Sequence, residues 1–368
     1  MTSRKVRRPS LSFRLGKESD IPLLSGLERS ISGATVSDSY WDWKYYKNPA
    51  GHALFVLALT GERVIGRLAV IPARFSVGGQ EIIGAQEVDV TVAEDFRRLD
   101  VLLSMINLER EILSQEGIGF TYGFTVDSTS TIAQTLMGKT KIGAVARLVK
   151  ILNVRPHIEN RLSFGFLSGI ISLPINFVLK AIYPQKFETP SRKQIRKITR
   201  FDSRFDDLWQ RVKNDHNIIV TRNSTYLNWR YVRAVHRTYE IFCIEDESTG
   251  AVEGFIVFGL KKDKFLIGEI FEILSLKTED DVIARSLLGV ALEKMRQKKA
   301  AVVRCWMFEH SHIFPELTRA GFIQRKKKGR DIMFRNFAVH SKAISDVFVK
   351  EVGNWYITKG DSDDEYRS

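Results

Sequence analysis

The sequence predicts an α/β protein built as two tandem copies of one fold, and three observations predict it. A six-residue pattern occurs twice: Tyr40-Trp41-Asp42-Trp43-Lys44-Tyr45 and Tyr226-Leu227-Asn228-Trp229-Arg230-Tyr231 both read aromatic, two variable positions, Trp, cation, Tyr. The segments after each pattern also match: a strand-like run (Ala53–Leu59, then Tyr239–Ile244), a glycine turn (Gly61, then Gly250) and a second strand (Val64–Val70, then Val252–Phe258). The spacing barely drifts, with Trp43 and Trp229 about 186 residues apart and Gly66 and Gly254 about 188. Such a period is far too long for a solenoid unit and suits a duplicated domain, as does a length of 368 residues.

The elements run in order. Residues 1–14 form a basic arm containing Arg4-Lys5-Val6-Arg7-Arg8, with no apolar stretch of signal-peptide length, and are expected to be disordered. Copy one spans 15–156. Ser19-Asp20-Ile21-Pro22 starts a helix, an N-cap residue and proline ahead of an apolar run. Phe75–Ile82 reads as a hairpin turning at Gly78-Gly79. Gln86–Val92 alternates, Val88, Val90 and Val92 on one face and Glu87, Asp89 and Thr91 on the other. Leu102, Met105, Ile106, Leu108, Ile112 and Leu113 set a helix across Val101–Gln115; Gly119–Val126 is a strand and Ser130–Met137 a short helix.

Copy two, 197–340, repeats this order. Leu266–Leu276 is a strand, Asp280–Lys298 a long helix and Ala300–Phe308 a strand; a helix over His312–Arg319 closes at Gly321 in a left-handed cap. Each copy is then a mixed, mostly antiparallel sheet flanked by helices. The linker, 157–196, is apolar and then basic. No charged residue occurs from Leu162 to Leu179, but Pro174 and Asn176 interrupt a run already short for a bilayer span. Two readings stand: an apolar helix docked between the domains, or peripheral contact with a membrane through 162–183. Residues 341–368 read as a helix and an acidic tail ending Asp361-Ser362-Asp363-Asp364-Glu365, for which the sequence offers no mechanism.

Composition narrows the function. With 44% hydrophobic and 27% charged residues, both copies can bury a core. Two cysteines, Cys243 and Cys305, both in apolar runs, exclude a disulfide framework and suit a reducing cytoplasm. The net charge of +13 gathers in the arm, at Arg192–Arg200 and at Arg325–Lys328, without a nucleic-acid motif beside it, so nucleic acid is not the expected partner. There is no Walker turn and no Ser-His-Asp context, and His310-Ser311-His312 lacks a further ligand cluster, so no metal is expected. Trp43 and Trp229 read as core anchors, with Lys44 and Arg230 facing solvent or pairing nearby.

One segment could carry chemistry. The strand through Asp89 leads by Ala93-Glu94-Asp95-Phe96-Arg97-Arg98-Leu99-Asp100 into a helix, whose N-terminal N–H groups and dipole can hold pyrophosphate with help from Arg97 and Arg98. That strand, the Phe-Arg-Arg turn and the helix resemble the acyl-CoA-binding turn of GNAT acyltransferases. The whole chain is similar to two-domain GNAT proteins of bacterial polysaccharide-biosynthesis clusters. The similarity runs through Trp41–Tyr45 with Asn48-Pro49-Ala50-Gly51, Glu87-Val88-Asp89, Tyr226–Tyr231 and the closing Trp355–Asp363.

The resemblance implies two GNAT-like domains and an N-acetyltransferase taking acetyl-CoA as co-substrate and an amine, such as an amino sugar, as acceptor. It places cofactor contacts at Val90, Thr91, Val92, Arg97, Arg98, Leu99, Asp100, Val101 and Leu102. Asp100 and Leu102 fill the two small positions of the family's turn, and copy two lacks both its arginine and its glycines, so copy one is the expected binding half. Direct attack of an amine on a thioester needs a base and an acid: Glu87 and Asp89 are the candidates for base or substrate anchor, Tyr122 for acid. Two alternatives remain, a catalytically silent GNAT-like scaffold or binding module, and an aminoacyl-tRNA-dependent aminoacyl transferase.

Overall fold

The duplication is built as one sheet, because the halves exchange strands. A computed structural model of the chain describes residues 10–125, 127–159, 171–178, 189–278, 280–325, 330–337 and 345–363. The first half contains β1 (Leu11–Leu15), α1 (Ile21–Ser32), α2 (Asp38–Trp41), β2 (Leu54–Thr60), β3 (Arg63–Val77), β4 (Gln80–Val92), α3 (Leu99–Gln115), β5 (Phe120–Phe124), α4 (Ser128–Leu136) and β6 (Thr140–Ile151). α5 (Arg155–Glu159) and α6 (171–178) lie in the linker. The second half begins with β7 (Lys193–Ile198), α7 (Arg204–Val212), β8 (Ile218–Val220), α8 (Ser224–Leu227), β9 (Glu240–Asp246) and β10 (Val252–Lys262). It continues through β11 (Leu266–Ser275), α9 (Val282–Gln297), β12 (Val302–Met307), α10 (Phe314–Arg319), β13 (Ile323–Gln324), β14 (Arg330–Asn336), α11 (Asp346–Lys350) and β15 (Trp355–Tyr356).

The repeat is visible in the topology. β2-β3-β4 and β9-β10-β11 are antiparallel meanders, and in each half a helix then crosses over to a parallel neighbour, β5 beside β4 and β12 beside β11. Past that point the halves interlock: β14 lies between β5 and β6, and β6 between β14 and β12. Among the described residues fifteen strands therefore join in one sheet. The boundary read at 157–196 divides the sequence but not the sheet, since each half completes the other's.

Local chemistry explains the elements. Val77 pairs with Gln80 across Gly78 and Gly79, whose φ angles of +56° and +82° are those a two-residue hairpin turn requires and glycine accepts. Along β2, Phe55 and Leu57 join the core beneath α1, while Val56 and Ala58 join Met105 and Ile106 of α3 on the opposite face. Leu11–Leu15, mostly assigned to the disordered arm, is instead an edge strand paired with β2 from Leu11↔Thr60 to Leu15↔Val56.

Each aromatic repeat folds into a helical turn followed by a π-helical one, 42–46 and 228–232. The two tryptophans meet: their rings stack at 5.3 Å, Trp43 Nε1 donates to the Trp229 carbonyl at 2.9 Å and Trp229 Nε1 to the Trp43 carbonyl at 3.0 Å. They are the anchors of the seam between the halves. Lys44 and Arg230 are buried there and do not face solvent. The arm to residue 9, linker residues 160–170 and 179–188, Lys326–Lys328 and Asp364-Glu365 lie outside the described residues.

Candidate active site

β4 and β5 pair only from Gly84↔Phe120 to Gln86↔Tyr122, whereas β4 runs on to Val92. Beyond Gln86 its outer edge has no strand partner among the described residues, and its backbone groups there need one. A bulge sharpens the parting: the register with β3 jumps from Ala69↔Val88 to Arg67↔Thr91, leaving Asp89 and Val90 opposite Leu68. Asp89 takes φ +54°, a left-handed conformation that Asp and Asn tolerate better than most residues.

The bulge corrects the strict alternation expected for Gln86–Val92. Val88 faces the core beneath α1 while Val90 packs against the α3 core, but Glu87 and Asp89 do not share a face. Glu87 points under α3. It pairs with Lys139 at 3.1 Å, both side chains wholly buried, and with Arg335 at 3.4 Å; Arg335 also reaches Glu109 of α3 at 3.2 Å. Burial and the neighbouring Glu87 carboxylate push Glu109 up to about 8, so the cluster shares its charge among four side chains.

Asp89 turns to the opposite face and is clamped by the first aromatic repeat. Lys44 Nζ donates to it at 2.7 Å and the Tyr45 hydroxyl at 2.8 Å, while Arg67 lies 3.9 Å away. Arg67 is fixed in turn by Glu28 of α1 at 3.1 Å and by the Trp41 ring at 4.3 Å. Burial alone would raise the Asp89 carboxyl, but Lys44 and Arg67 outweigh it and bring it down to about 2. Asp89 is therefore held ionised.

Tyr122 shares a cavity with Gln86. Its hydroxyl donates to the Asp361 carbonyl at 3.4 Å; burial first, and then Asp361, lift it well above the ordinary tyrosine range, so it remains a neutral donor. The cavity, about 40 Å³, is lined by Lys44, Gln86 and Tyr122 from the first half, Tyr226 and Arg230 from the second, and Asp361 and Asp363 from the C-terminal segment. Sequence reading missed that second-half and C-terminal contribution. The signal was available only in part, in the family similarity that runs through Tyr226–Tyr231 and Trp355–Asp363.

That segment fills the second half's equivalent cleft. β11 and β12 pair from Ile267↔Val302 to Glu269↔Arg304 and then separate, as β4 and β5 do. Into the gap runs the chain after β15, which itself adds to β8. Tyr356 donates to the Ile273 carbonyl of β11, Lys359 pairs with Glu269, and Arg230 Nε donates to the Gly360 carbonyl at 2.9 Å. Arg222, buried, bridges Asp361 and Glu272 at 2.7 Å each. The residues to Asp363 thus dock on their own protein.

The α3 N-terminus sits where β4 ends. Arg98 is its N-cap, Leu99 and Asp100 are exposed, Val101 is buried and Leu102 half-buried. Arg97 Nε donates to the Val92 carbonyl at 3.2 Å, and Arg98 Nε to Asp100 at 2.9 Å. Arg98, and the backbone N–H groups of Asp100 and Val101, hold the Asp100 carboxyl below its usual range. A carboxylate of the chain thus occupies the anion-binding end of this helix. Elsewhere, His310 donates to the Trp355 carbonyl at 2.9 Å and His312 stacks with His216 at 5.9 Å. Among the described residues no group of three or more His, Cys, Asp or Glu is placed to hold a metal ion.

Residues 13–131, from β1 into α4, match the Acetyltransferase (GNAT) domain family. No curated protein matches the sequence. Among solved structures the chain is similar to a probable N-acyltransferase of Enterococcus faecalis V583, at 10% identity and a TM-score of 0.63 over 89% of this chain and 73% of that one. It is similar to Saccharomyces cerevisiae N-myristoyltransferase with bound myristoyl-CoA, at 12% identity and TM-score 0.60 over 89% and 84%. It is also similar to a tandem GNAT protein from the clavulanic acid biosynthesis pathway, at 13% identity and TM-score 0.58 over 89% and 98%. Residues 13–131 are thus similar to the GNAT acetyltransferase domain, and the chain as a whole shares the α/β fold of the tandem GNAT protein.

Proposed function

We propose that the first half binds acetyl-CoA in the cleft between β4 and β5 and transfers the acyl group to an amine, such as that of an amino sugar, presented from the cavity at the seam. The observation that carries this reading is the asymmetry of the two clefts: the chain fills the one beside β11, whereas among the described residues no strand pairs with the edge of β4 beyond Gln86. In this reading the backbone of Val90, Thr91 and Val92 holds the pantetheine amides and the thioester. Arg97, Arg98 and the first turn of α3, Leu99 to Leu102, hold the pyrophosphate.

The amine nitrogen attacks the thioester carbonyl, the carbon–sulfur bond breaks, and the departing thiolate takes a proton from Tyr122, which recovers one from solvent as the amine gives its own to solvent. Asp89, held ionised, fixes Lys44 at the cavity wall and is too weak a base to deprotonate the amine. Glu87 faces away from the cavity and positions β4 through Lys139 and Arg335. A cytoplasmic place in polysaccharide biosynthesis accompanies the amino-sugar acceptor.

A second reading, a silent binding module, is favoured by Asp100 at the α3 N-terminus and by a cavity of only about 40 Å³. Calorimetric titration with acetyl-CoA separates the two. The transferase reading expects micromolar binding, weakened by Arg97→Gln/Arg98→Gln with a loss that shrinks as salt rises, and tightened by Asp100→Gly. Absence of binding in both wild type and Asp100→Gly moves the assignment to the silent module. Binding of aminoacyl-tRNA in place of acetyl-CoA would move it to aminoacyl transfer.

A further inference from the structure

We propose that α6 and the groove beside it are a docking surface for an anionic membrane. The helix presents Leu173, Phe177 and Val178 at 71%, 73% and 51% exposure, with Ile171 and Ile175 also above two fifths. Its orientation is fixed by its polar residue. Asn176 accepts from the Val154 N–H at 2.9 Å and donates to the Asn153 side chain at 2.9 Å, so the apolar side chains stay on the outside.

Between this helix and the body lies a groove of about 780 Å³, walled by Leu152, Leu173, Phe177 and Ala300, with Arg296 and Lys299 at its lip. Arg296 keeps Glu293 at 2.6 Å, and Lys298, just after α9, pairs with Glu240 at 2.6 Å, while Lys299 is exposed. An exposed apolar patch bordered by cations matches a bilayer with anionic headgroups: the apolar side chains enter the acyl boundary and the long basic side chains reach the phosphates. Charge complementarity selects this occupant over a second copy of the chain, whose basic rim and net charge of +13 would repel the same surface. Among the described residues no helix is long and apolar enough to cross a membrane.

Co-sedimentation of the full chain with phosphatidylcholine vesicles, with and without phosphatidylserine, tests this. The wild type is expected to pellet with the phosphatidylserine vesicles and to be released as salt rises. Leu173→Asp/Phe177→Asp, with an unchanged far-ultraviolet spectrum, is expected to stay in the supernatant, and Arg296→Gln/Lys299→Gln to lose the preference for phosphatidylserine. A wild type that stays in solution with every vesicle overturns the proposal, as does a Leu173→Asp/Phe177→Asp variant that binds like wild type. A wild-type dimer by light scattering that this variant dissociates also overturns it and gives the face to a second copy.

Discussion

Replacing Asp89 by Asn tests the clamp at the bulge with little disturbance to the backbone, because Asn accepts the left-handed φ of +54° as readily as Asp. The substitution removes the charge facing Lys44, which is only 2% exposed. Arg67 keeps Glu28, while Lys44 loses the carboxylate it donates to at 2.7 Å. Removing one partner of a buried ion pair costs about 3 kcal/mol. The pH dependence is a second handle. The Asp89 carboxyl is depressed from 3.8 to about 2, so its contribution is complete above pH 3.8 and is lost as pH falls through 2. Its size is about 2 kcal/mol. Urea unfolding of wild type and Asp89→Asn from pH 7 to pH 2 reads both effects, since the other carboxylates titrate alike in the two proteins and cancel. The variant should be about 3 kcal/mol less stable at pH 7, and the gap should narrow by about 2 kcal/mol on reaching pH 2. A gap that stays constant over that range, or no gap at pH 7, would refute the clamp.

Two other perturbations probe the seam. A Cβ on Gly360 would stand 2.0 Å from the Tyr231 hydroxyl and 3.0 Å from the Phe271 carbonyl. Gly360→Ala should therefore displace the C-terminal segment, destabilise by about 1–3 kcal/mol and speed proteolysis after Trp355; unchanged protection would mean the segment is not wedged. Trp229→Phe keeps the stacked ring but leaves the buried Trp43 carbonyl without its donor, for a loss of about 1–3 kcal/mol. Trp43→Phe should cost the same, and unequal losses in urea unfolding would show that the reciprocal bonds are not equivalent.

The duplication was legible because aromatic residues at long, matched spacing rarely recur by chance, and the Gly78-Gly79 hairpin because two consecutive positive φ angles leave little choice of residue. The face on which Asp89 lies was not legible. Val88, Val90 and Val92 alternate in sequence whether or not the ladder carries an extra residue, and the bulge is decided by what Lys44 and Tyr45 offer from the other side of the sheet. The exchange of β6 and β14 was hidden for a different reason: periodicity says that a segment is a strand but not which edge it joins. Whether the C-terminal segment docks or stays disordered was not legible, because Lys359 and Asp361 are charged. They are buried only because Glu269, Glu272 and Arg222, remote in sequence, meet them.

A duplicated fold of this kind poses the same physical problem twice. Each helix crossover to a parallel strand leaves the longer strand with a row of backbone groups past the last pair, at Gln86 in one half and Glu269 in the other. In the second half the chain answers with its own residues: a tyrosine hydroxyl on the Ile273 carbonyl, a lysine on Glu269 and a buried arginine spanning two carboxylates. Such a filling is costly to displace, since each buried ion would lose its partner. In the first half the same edge begins at a fixed carboxylate, Asp89, and ends at a helix N-terminus flanked by Arg97 and Arg98, with only half-buried Val90, Thr91 and Val92 between. On the acyl-CoA reading proposed above, an extended ligand bearing amides along its length and phosphates at one end would follow that edge and then displace Asp100 from Arg98, whereas a peptide segment like the one beside β11 would bring no anion to that end.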